Sequence, residues 1–246
     1  MNGQALIDIA RTLVNSGRGL LAIDDRENKE DGTGARFAKW RAVITIDDHR
    51  PSGGCIEANA HALARYAALC QEAGLVPVVE PEVLMDGDHT LERCRDVTML
   101  CLQMVFEQLR SQRVLLEGMI LKPNMVLPGL TCPHQESVDE VAAATIKCLL
   151  EVVPAAVPGI AFLSGGQSGE LASARLNAMH VKTRTATSPL PWALTFSFGR
   201  AIQQPALRIW GGQMSHRSAA QQALLHRAHC NRVALRGEYT MEMEGH

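Results

Sequence analysis

The sequence predicts an α/β fold of the TIM (β/α)8-barrel type that is incomplete, with about six βα units. From residue 37 onward apolar strand patterns alternate with amphipathic helix patterns, which is typical of a parallel sheet covered by helices. The 246 residues match the length of one such barrel, about 250 residues. No Pro-, Gly- or Ser-rich spacer divides the chain, so we expect a single domain over residues 1–246.

The first elements are a helix and a strand. Leu6, Ile9 and Leu13 recur at helical spacing, which predicts an amphipathic helix that ends before Gly17. The apolar run at residues 19–24 then predicts a buried strand. Residues 26–36 follow, and they are polar and glycine-rich with no apolar period. Because neighbouring parallel strands need a long crossover, usually a helix, this linker is poorly suited to join two adjacent strands.

The remaining elements alternate regularly. Gly74 is placed to end one helix, and Ser137 with Glu140 predicts a capping box at the start of another. The other predicted strands cover residues 37–46, 76–80, 115–122, 159–163 and 192–196. The helices after residue 37 cover residues 56–73, 91–109, 138–152, 169–179, 201–210 and 219–235. The total is six strands rather than eight.

Composition and charge exclude several classes of function. There are 24 Lys and Arg against 26 Asp and Glu, which gives no field for binding nucleic acid phosphates. No apolar run approaches the ~20 residues of a membrane span, and no secretory signal is evident at residues 1–14. The seven cysteines are odd in number and form no C-x-x-C pair. We therefore expect free thiols in a reducing, cytoplasmic location, without a disulfide framework or zinc ribbon.

Polar side chains cluster at the C-terminal ends of the predicted strands, where barrel enzymes build their active sites. Lys39 and Arg41 are two residues apart, so both face one side of their strand. Glu80 and Glu82 have the same spacing. Because buried charge is costly unless paired, we expect these groups and Lys122 to neutralise one another in one cavity. The other residues at these strand ends are Asp24, Asp25, Asn124, Ser164, Gly165, Gly166, Gly199 and Arg200.

A cavity lined by these groups suits Schiff-base formation and phosphate binding. A lysine in a dry site near other cations has a lowered pKa, and its neutral amine can form a Schiff base with a carbonyl. A carboxylate such as Glu80 can move protons during that reaction. The Ser164–Gly165–Gly166 and Gly199–Arg200 segments each precede a predicted helix. They therefore offer backbone N–H groups that suit a phosphate.

Each feature also has an ordinary explanation. Lys122 alone fits a strand-edge residue, the Glu-Pro-Glu at residues 80–82 fits a solvated turn, and Ser-Gly-Gly is a common loop. The active-site interpretation is favoured over these explanations because such groups occur at all six predicted strand ends. His226, His229 and Cys230 suggest a metal, but the sequence shows no third ligand at sensible spacing, so we expect none.

At these residues the chain resembles the class I (Schiff-base) fructose-1,6-bisphosphate aldolases. The resemblance is nearly continuous over residues 37–239 and weaker over the first twenty-five. It is carried by FAKWR at 37–41, EANA at 57–60, LARYA at 63–67, GLVPVVEPE at 74–82, DGDH at 86–89, LEGMILKPNMV at 116–126, FLSGGQS at 162–168 and WALTFSFGRA at 192–201.

The resemblance implies a role for each matching residue. Lys122 corresponds to the Schiff-base lysine, Glu80 to the acid/base, and Lys39 to the cation beside it. Asp24 corresponds to the residue that helps to take the proton from the C4 hydroxyl. Arg41 and Glu82 correspond to supporting charges. The pocket for the C1 phosphate of the ketose corresponds to Ser164, Gly165, Gly199 and Arg200.

The family cleaves fructose 1,6-bisphosphate into dihydroxyacetone phosphate and glyceraldehyde 3-phosphate. It needs no metal or other cofactor and is usually a cytosolic homotetramer. The resemblance therefore implies a sugar-phosphate substrate and a homo-oligomer.

The chain departs from the family near residues 26–36. About two βα units are missing there, and with them the residues that bind the second phosphate and a further active-site lysine. Six strands cannot close a barrel at the tilt and shear of eight, so two strand edges should stay unpaired. The alternative function is therefore a catalytically impaired remnant, which binds sugar phosphates or joins mixed oligomers with an intact paralogue.

Overall fold

The computed structural model describes residues 3–20, 35–185 and 188–245, and in them helices and strands alternate. The helices are α1 (Gly3–Val14), α2 (Gly53–Glu72), α3 (Leu91–Ser111), α4 (Val138–Val152), α5 (Gly169–Thr185), α6 (Arg200–Trp210) and α7 (Arg217–Ala234). The strands are β1 (Phe37–Ile44), β2 (Val76–Val83), β3 (Ile120–Leu121), β4 (Gly159–Phe162) and β5 (Ala193–Phe196). Short 3₁₀ turns cover Leu116–Gly118, Met214–His216 and Met241–Gly245.

The five strands form one parallel sheet in the order β1-β2-β3-β4-β5. This confirms the predicted α/β class with a parallel sheet that is not closed within the described residues. The first predicted strand, residues 19–24, lies mostly outside them. Leu20, which is described and is not part of a strand, donates its amide hydrogen to the Phe196 carbonyl at 2.7 Å.

Local capping fixes where several helices begin. Ser52 and Thr90 accept hydrogen bonds from the backbone amides of Cys55 and Arg93 at the starts of α2 and α3. The predicted capping box of α4 is present, since Ser137 and Glu140 bond each other's backbone amides. These side chains satisfy amide donors that a helix start leaves without intrahelical partners.

The sheet separates two apolar layers. Its outer face packs against α2 to α5, through residues such as Ile44, Val79 and Phe162. Its inner face carries Val78 and Ile120, which pack against α1 in a smaller cluster. Helix α1 therefore covers the N-terminal end of the inner face and leaves the C-terminal end of the strands for polar groups.

One strand prediction was wrong in part. Residues 115–122 were expected to be extended throughout, but Leu116–Gly118 is a 3₁₀ turn and only Ile120–Leu121 pairs as a strand. The side-chain amide of Gln71 donates to the Leu115 and Gly118 carbonyls and accepts from the Leu115 amide. This distant residue of α2 supplies hydrogen bonds that a sheet would otherwise provide, and so it stabilises the turn.

Strand β1 forms one edge of the sheet in the part of the chain that the structure describes. On its inner face, Arg41 has 43% of its side chain exposed and Val43 is 44% exposed. Among the described residues, the inner face of the sheet is therefore uncovered beside β1. Among the described residues, no helix combines the length and apolarity needed to cross a bilayer.

Candidate active site

Three charged side chains meet on the inner face of the sheet. Lys122 follows β3, and its Nζ lies 3.2 Å from Glu80 Oε1. Lys39 of β1 places its Nζ 3.3 Å from Glu80 Oε2. The three side chains are at least nine-tenths buried. One carboxylate is thus held between two ammonium groups in a nearly dry place, which satisfies the requirement that buried charge be paired.

The strand register explains this meeting. Arg41 lies opposite Glu80, and Val79 lies opposite Leu121. Since alternate residues face the same side, Lys39 reaches Glu80 diagonally across the β1–β2 pair. The Lys122 amide donates to the Val79 carbonyl at 2.8 Å, which continues the ladder and aims its side chain at Glu80.

Burial lowers the pKa of Lys122 below its ordinary value, and the nearby Lys39 cation lowers it further, while Glu80 acts in the opposite direction. A lower pKa increases the fraction of neutral amine at a given pH. Only that neutral form carries the lone pair needed to attack a carbonyl. The environment therefore increases the nucleophilic fraction of Lys122 relative to a lysine in water.

Arg41 and Glu82 form a second ion pair beside the first. Arg41 Nε donates to Glu82 Oε2. Glu82 is buried while Arg41 is partly exposed. The carboxylate side of the pair thus faces the protein interior, and the guanidinium side faces the open wall near β1.

The side-chain oxygen and nitrogen of Asn124 are both hydrogen-bonded to other protein groups. Its Oδ1 accepts from the Val83 amide at 3.0 Å, and its Nδ2 donates to Thr98 Oγ1 at 3.1 Å and to the Met125 carbonyl at 3.0 Å. These bonds join the end of β2 to the segment after Lys122. Asn124 is therefore a positioning residue for the two strands that carry Glu80 and Lys122.

The candidate phosphate residues lie at the same end of the sheet. The loop after β4 contains buried Ser164, then Gly165 and Gly166 with φ of +65° and +115°. Positive φ values are readily adopted only by glycine. An added Cβ at Gly166 would lie 3.8 Å from an Arg200 guanidinium nitrogen, so the loop and this side chain converge.

Helix α6 begins at Arg200, directly after Gly199, and no side chain caps it. The backbone amides of the first turn of α6 thus have no side-chain cap, and the Arg200 guanidinium lies beside the glycine loop after β4. This combination suits a phosphate.

Two residues differ from the set of site residues that the sequence predicts. Asp24 lies outside the described residues. Thr195 of β5 was not singled out, yet its hydroxyl is buried without a hydrogen-bond partner among the described residues. It shares the inner face with Ala193 of the α1-packed cluster. The signal in the sequence is its spacing of two from Ser197, which marks one face of the strand.

The active-site groups themselves are poorly suited to hold a metal. Lys39, Lys122 and Arg41 are three cations that outnumber the two carboxylates, Glu80 and Glu82. A divalent ion would be repelled by these groups. The arrangement instead suits an organic carbonyl compound that carries a phosphate, because an amine, a proton-transfer group and an anion pocket share one end of the sheet.

Comparisons with known proteins agree with this chemistry. The family model of class-I fructose-bisphosphate aldolase matches residues 25–246. A probable fructose-bisphosphate aldolase class 1 of Xanthomonas campestris is 56% identical over 207 residues, which are 84% of this chain and 60% of that protein. Fructose-bisphosphate aldolase B of Gallus gallus is 51% identical over 222 residues, which cover 90% of this chain and 60% of that protein.

A solved structure is also similar. The fructose-bisphosphate aldolase of Plasmodium falciparum, crystallised with TRAP and a small-molecule inhibitor, superposes with a TM-score of 0.79 at 46% identity. The match covers 84% of this chain and 59% of that one. The chain thus spans about 60% of the length of the relatives it matches. On the extent of these matches, it belongs to the family of class I fructose-bisphosphate aldolases.

Proposed function

We propose that this chain cleaves fructose 1,6-bisphosphate reversibly into dihydroxyacetone phosphate and glyceraldehyde 3-phosphate through a Schiff base on Lys122. The observation that carries the proposal is the contact of Lys122 Nζ with Glu80, 3.2 Å away, on the buried inner face of the sheet. Family membership supports the substrate class. No metal or organic cofactor is required by this chemistry, because the iminium itself withdraws electrons.

The proposed reaction begins at the ketose carbonyl. Neutral Lys122 attacks C2, and Glu80 accepts the proton that the new C–N bond releases. Glu80 passes this proton to the C2 oxygen, which gives the neutral carbinolamine. A second proton, which Glu80 takes up from solvent, goes to the carbinolamine hydroxyl, which leaves as water and produces the cationic iminium. The ammonium of Lys39, on the other oxygen of Glu80, holds the carboxylate in place throughout.

Carbon–carbon cleavage follows from the iminium. The electron pair of the C3–C4 bond moves into it and forms an enamine, while the C4 hydroxyl loses its proton and becomes the aldehyde of glyceraldehyde 3-phosphate. By resemblance, Asp24 assists that proton loss. Protonation of the enamine at C3 and hydrolysis of the resulting iminium release dihydroxyacetone phosphate and free Lys122.

The anion pocket is proposed to hold the C1 phosphate. Its members are Ser164, Gly165, Gly166, Gly199 and Arg200. Their support is the uncapped start of α6 and the approach of Arg200 to the glycine loop. Arg41 and Glu82 are proposed as the supporting charges beside the amine.

A second candidate function is binding without turnover. It is favoured by the open β1 side, where Arg41 and Val43 are over two-fifths exposed on the inner face. A wall that admits water would weaken the dry environment that the lysine chemistry needs. Under this second candidate function, the protein is a catalytically impaired remnant with a deletion near residues 26–36, and it binds sugar phosphates or joins oligomers.

We also propose a cytoplasmic homo-oligomer, a tetramer by family resemblance, or a mixed oligomer with an intact paralogue. Family membership supports the oligomer. The seven free cysteines support the cytoplasmic location. Light scattering of the purified chain, alone and after mixing with a full-length relative, tests both forms. A monomer under both conditions would contradict them.

Trapping with borohydride separates the two functions. The protein is incubated with dihydroxyacetone phosphate and borohydride, and the modified lysine is located by mass spectrometry, with cleavage of fructose 1,6-bisphosphate measured in parallel. Lys122→Met should abolish the adduct, and Lys147→Met, at an exposed lysine of α4, should keep it. An adduct on Lys122 with cleavage supports the aldolase. An adduct without cleavage supports the second candidate, and no adduct on Lys122 contradicts Schiff-base chemistry.

A further inference from the structure

A second cluster of reactive side chains lies at the C-terminal end of the chain, apart from the elements that carry Lys122. His226 and Cys230 are one turn apart on α7, so they share a helix face. Glu244 approaches them from the Met241–Gly245 turn. The Nε2, Sγ and carboxylate oxygen atoms all lie within 4.8 Å of one another.

The separations within the cluster match those of tetrahedral zinc ligands. His226 Nε2 is 3.3 Å from Glu244 Oε2 and 3.6 Å from Cys230 Sγ. Zinc bonds of about 2.0–2.1 Å to nitrogen and oxygen and about 2.3 Å to sulfur, at tetrahedral angles, place N and O about 3.3 Å apart and N and S about 3.6 Å apart. Two of the three separations thus match those around one zinc ion, and the third, between Cys230 Sγ and Glu244, is within 4.8 Å.

The carboxylate is held from behind by neighbouring groups. The Tyr239 hydroxyl donates to Glu244 Oε1 at 2.6 Å, and Arg227 Nη1 donates to Oε2. A carboxylate oxygen has two lone pairs, so Oε2 can accept from Arg227 and still bind a cation. Such outer contacts orient metal ligands. The Tyr239 amide also donates to Asn177 at 2.8 Å, which fixes the approach of this segment to α5.

The cluster has a route to solvent. His226 and Glu244 line a surface cavity of about 470 Å³ together with Glu170 and Arg227. Cys230 lies on the inner side and is fully buried. An ion could thus enter from the cavity, contact the three side chains, and keep one position for water.

We propose that His226, Cys230 and Glu244 bind one Zn²⁺ ion, with a water molecule as the fourth ligand. Thiolate and imidazole select zinc over magnesium or calcium, which prefer oxygen ligands. The sequence analysis named His226, His229 and Cys230, all on one helix, because nothing in the sequence spacing brings Glu244 to α7. The site is independent of the proposed Schiff-base chemistry.

Binding of zinc to Cys230 removes the proton of the thiol. Burial raises the pKa of the Cys230 thiol, so without metal the sulfur carries its proton. Zinc displaces that proton to solvent and leaves a thiolate, while His226 binds through Nε2.

The test uses the full chain without a histidine tag, titrated anaerobically with Co²⁺ and then with Zn²⁺. One Co²⁺ per chain should produce a near-ultraviolet thiolate-to-cobalt band and intense visible bands of tetrahedral cobalt, and Zn²⁺ should displace it. Cys230→Ser should remove the thiolate band, and His226→Gln and Glu244→Gln should each weaken binding by about tenfold or more. Circular dichroism checks that each variant folds.

Two controls carry the same residue types outside the cluster. His229→Gln changes an exposed histidine of α7, and Cys55→Ser changes an exposed cysteine of α2; both should leave affinity and spectra unchanged. The proposal is overturned if no thiolate band forms, or if Cys55→Ser removes it. It is also overturned if Glu244→Gln, the conservative variant at a partly exposed position, binds as tightly as the parent chain.

Discussion

Glu80 of β2 and Lys122, which directly follows the adjacent β3, have 3.2 Å between Oε1 and Nζ, and each is at least nine-tenths buried. The other oxygen of Glu80 contacts Lys39, so one carboxylate serves two ammonium groups. This arrangement couples the protonation of Lys122 to its neighbours. Changing any one of the three residues should therefore alter the chemistry of the other two.

The first prediction concerns the charge of Glu80. Glu80→Gln keeps the shape of the side chain but removes the proton-transfer group, so kcat for cleavage should fall about 10²- to 10⁴-fold. The free energy of unfolding should fall by about 1–3 kcal/mol, because two buried ammonium groups lose their shared negative charge and one of them loses its acceptor oxygen. Steady-state cleavage assays and urea unfolding measure the two effects.

Glu107→Gln is the matched control, since Glu107 is exposed on α3. It should change neither kcat nor stability. A Glu80→Gln variant with at least half of the parent kcat would remove Glu80 from the proposed mechanism.

The second prediction concerns pH. Only the neutral amine of Lys122 forms the Schiff base, and burial lowers its pKa below 10.5. The initial rate of cyanoborohydride trapping should therefore rise with pH and reach half of its maximum below pH 10.5. Lys39→Met removes a cation that disfavours the ammonium form, so the pKa of Lys122 should increase and the profile should move to higher pH. A shift to lower pH would contradict the assigned role of Lys39.

Most of the fold could be predicted from the sequence because its elements are set by local patterns. Ser137 and Glu140 form the expected capping box, and every strand after residue 37 begins within a few residues of its predicted start except β3. The exception depends on Gln71, which lies more than forty residues from the turn it stabilises. A contact of that kind leaves no periodicity in the strand sequence.

Part of the candidate site could also be predicted from local spacing in the sequence. The spacing of two residues in Lys39–Arg41 and Glu80–Glu82 places the members of each pair on one face, and the structure finds the ion pairs between strands. Their catalytic roles stay predictions. Glu244 could not be found in this way, because it reaches α7 through a turn that docks by tertiary contacts with Asn177.

A third prediction concerns the anion pocket. Arg200→Ala should raise KM about 10- to 100-fold, because a charge-assisted hydrogen bond to phosphate contributes about 1.5–3 kcal/mol. Arg208→Ala, on an exposed position of the same helix, is the control and should leave KM unchanged. Equal effects of the two variants would argue for a general loss of surface charge rather than a pocket.

A fourth prediction concerns the second phosphate. By resemblance, the residues that bind it belong to the βα units that we propose are deleted near residues 26–36. The ratio of kcat/KM for fructose 1,6-bisphosphate to that for fructose 1-phosphate should therefore be smaller than in a full-length relative. Both ratios are measured under the same salt conditions, because phosphate binding is screened. A ratio equal to that of the relative would mean that other residues bind the second phosphate.

The fifth prediction tests how α1 closes the N-terminal end of the sheet. An added Cβ at Gly159 would lie 2.5 Å from Val14 Cβ, so Gly159→Ala must displace α1 or β4. Overpacking of this kind costs about 1–3 kcal/mol of unfolding free energy. Gly54→Ala in α2 is the control, because no atom lies within 4 Å of an added Cβ there. Alanine suits a helix better than glycine, so the control should be neutral or stabilising. If Gly159→Ala unfolded at the same urea concentration as the parent chain, α1 would not pack against β4 in solution.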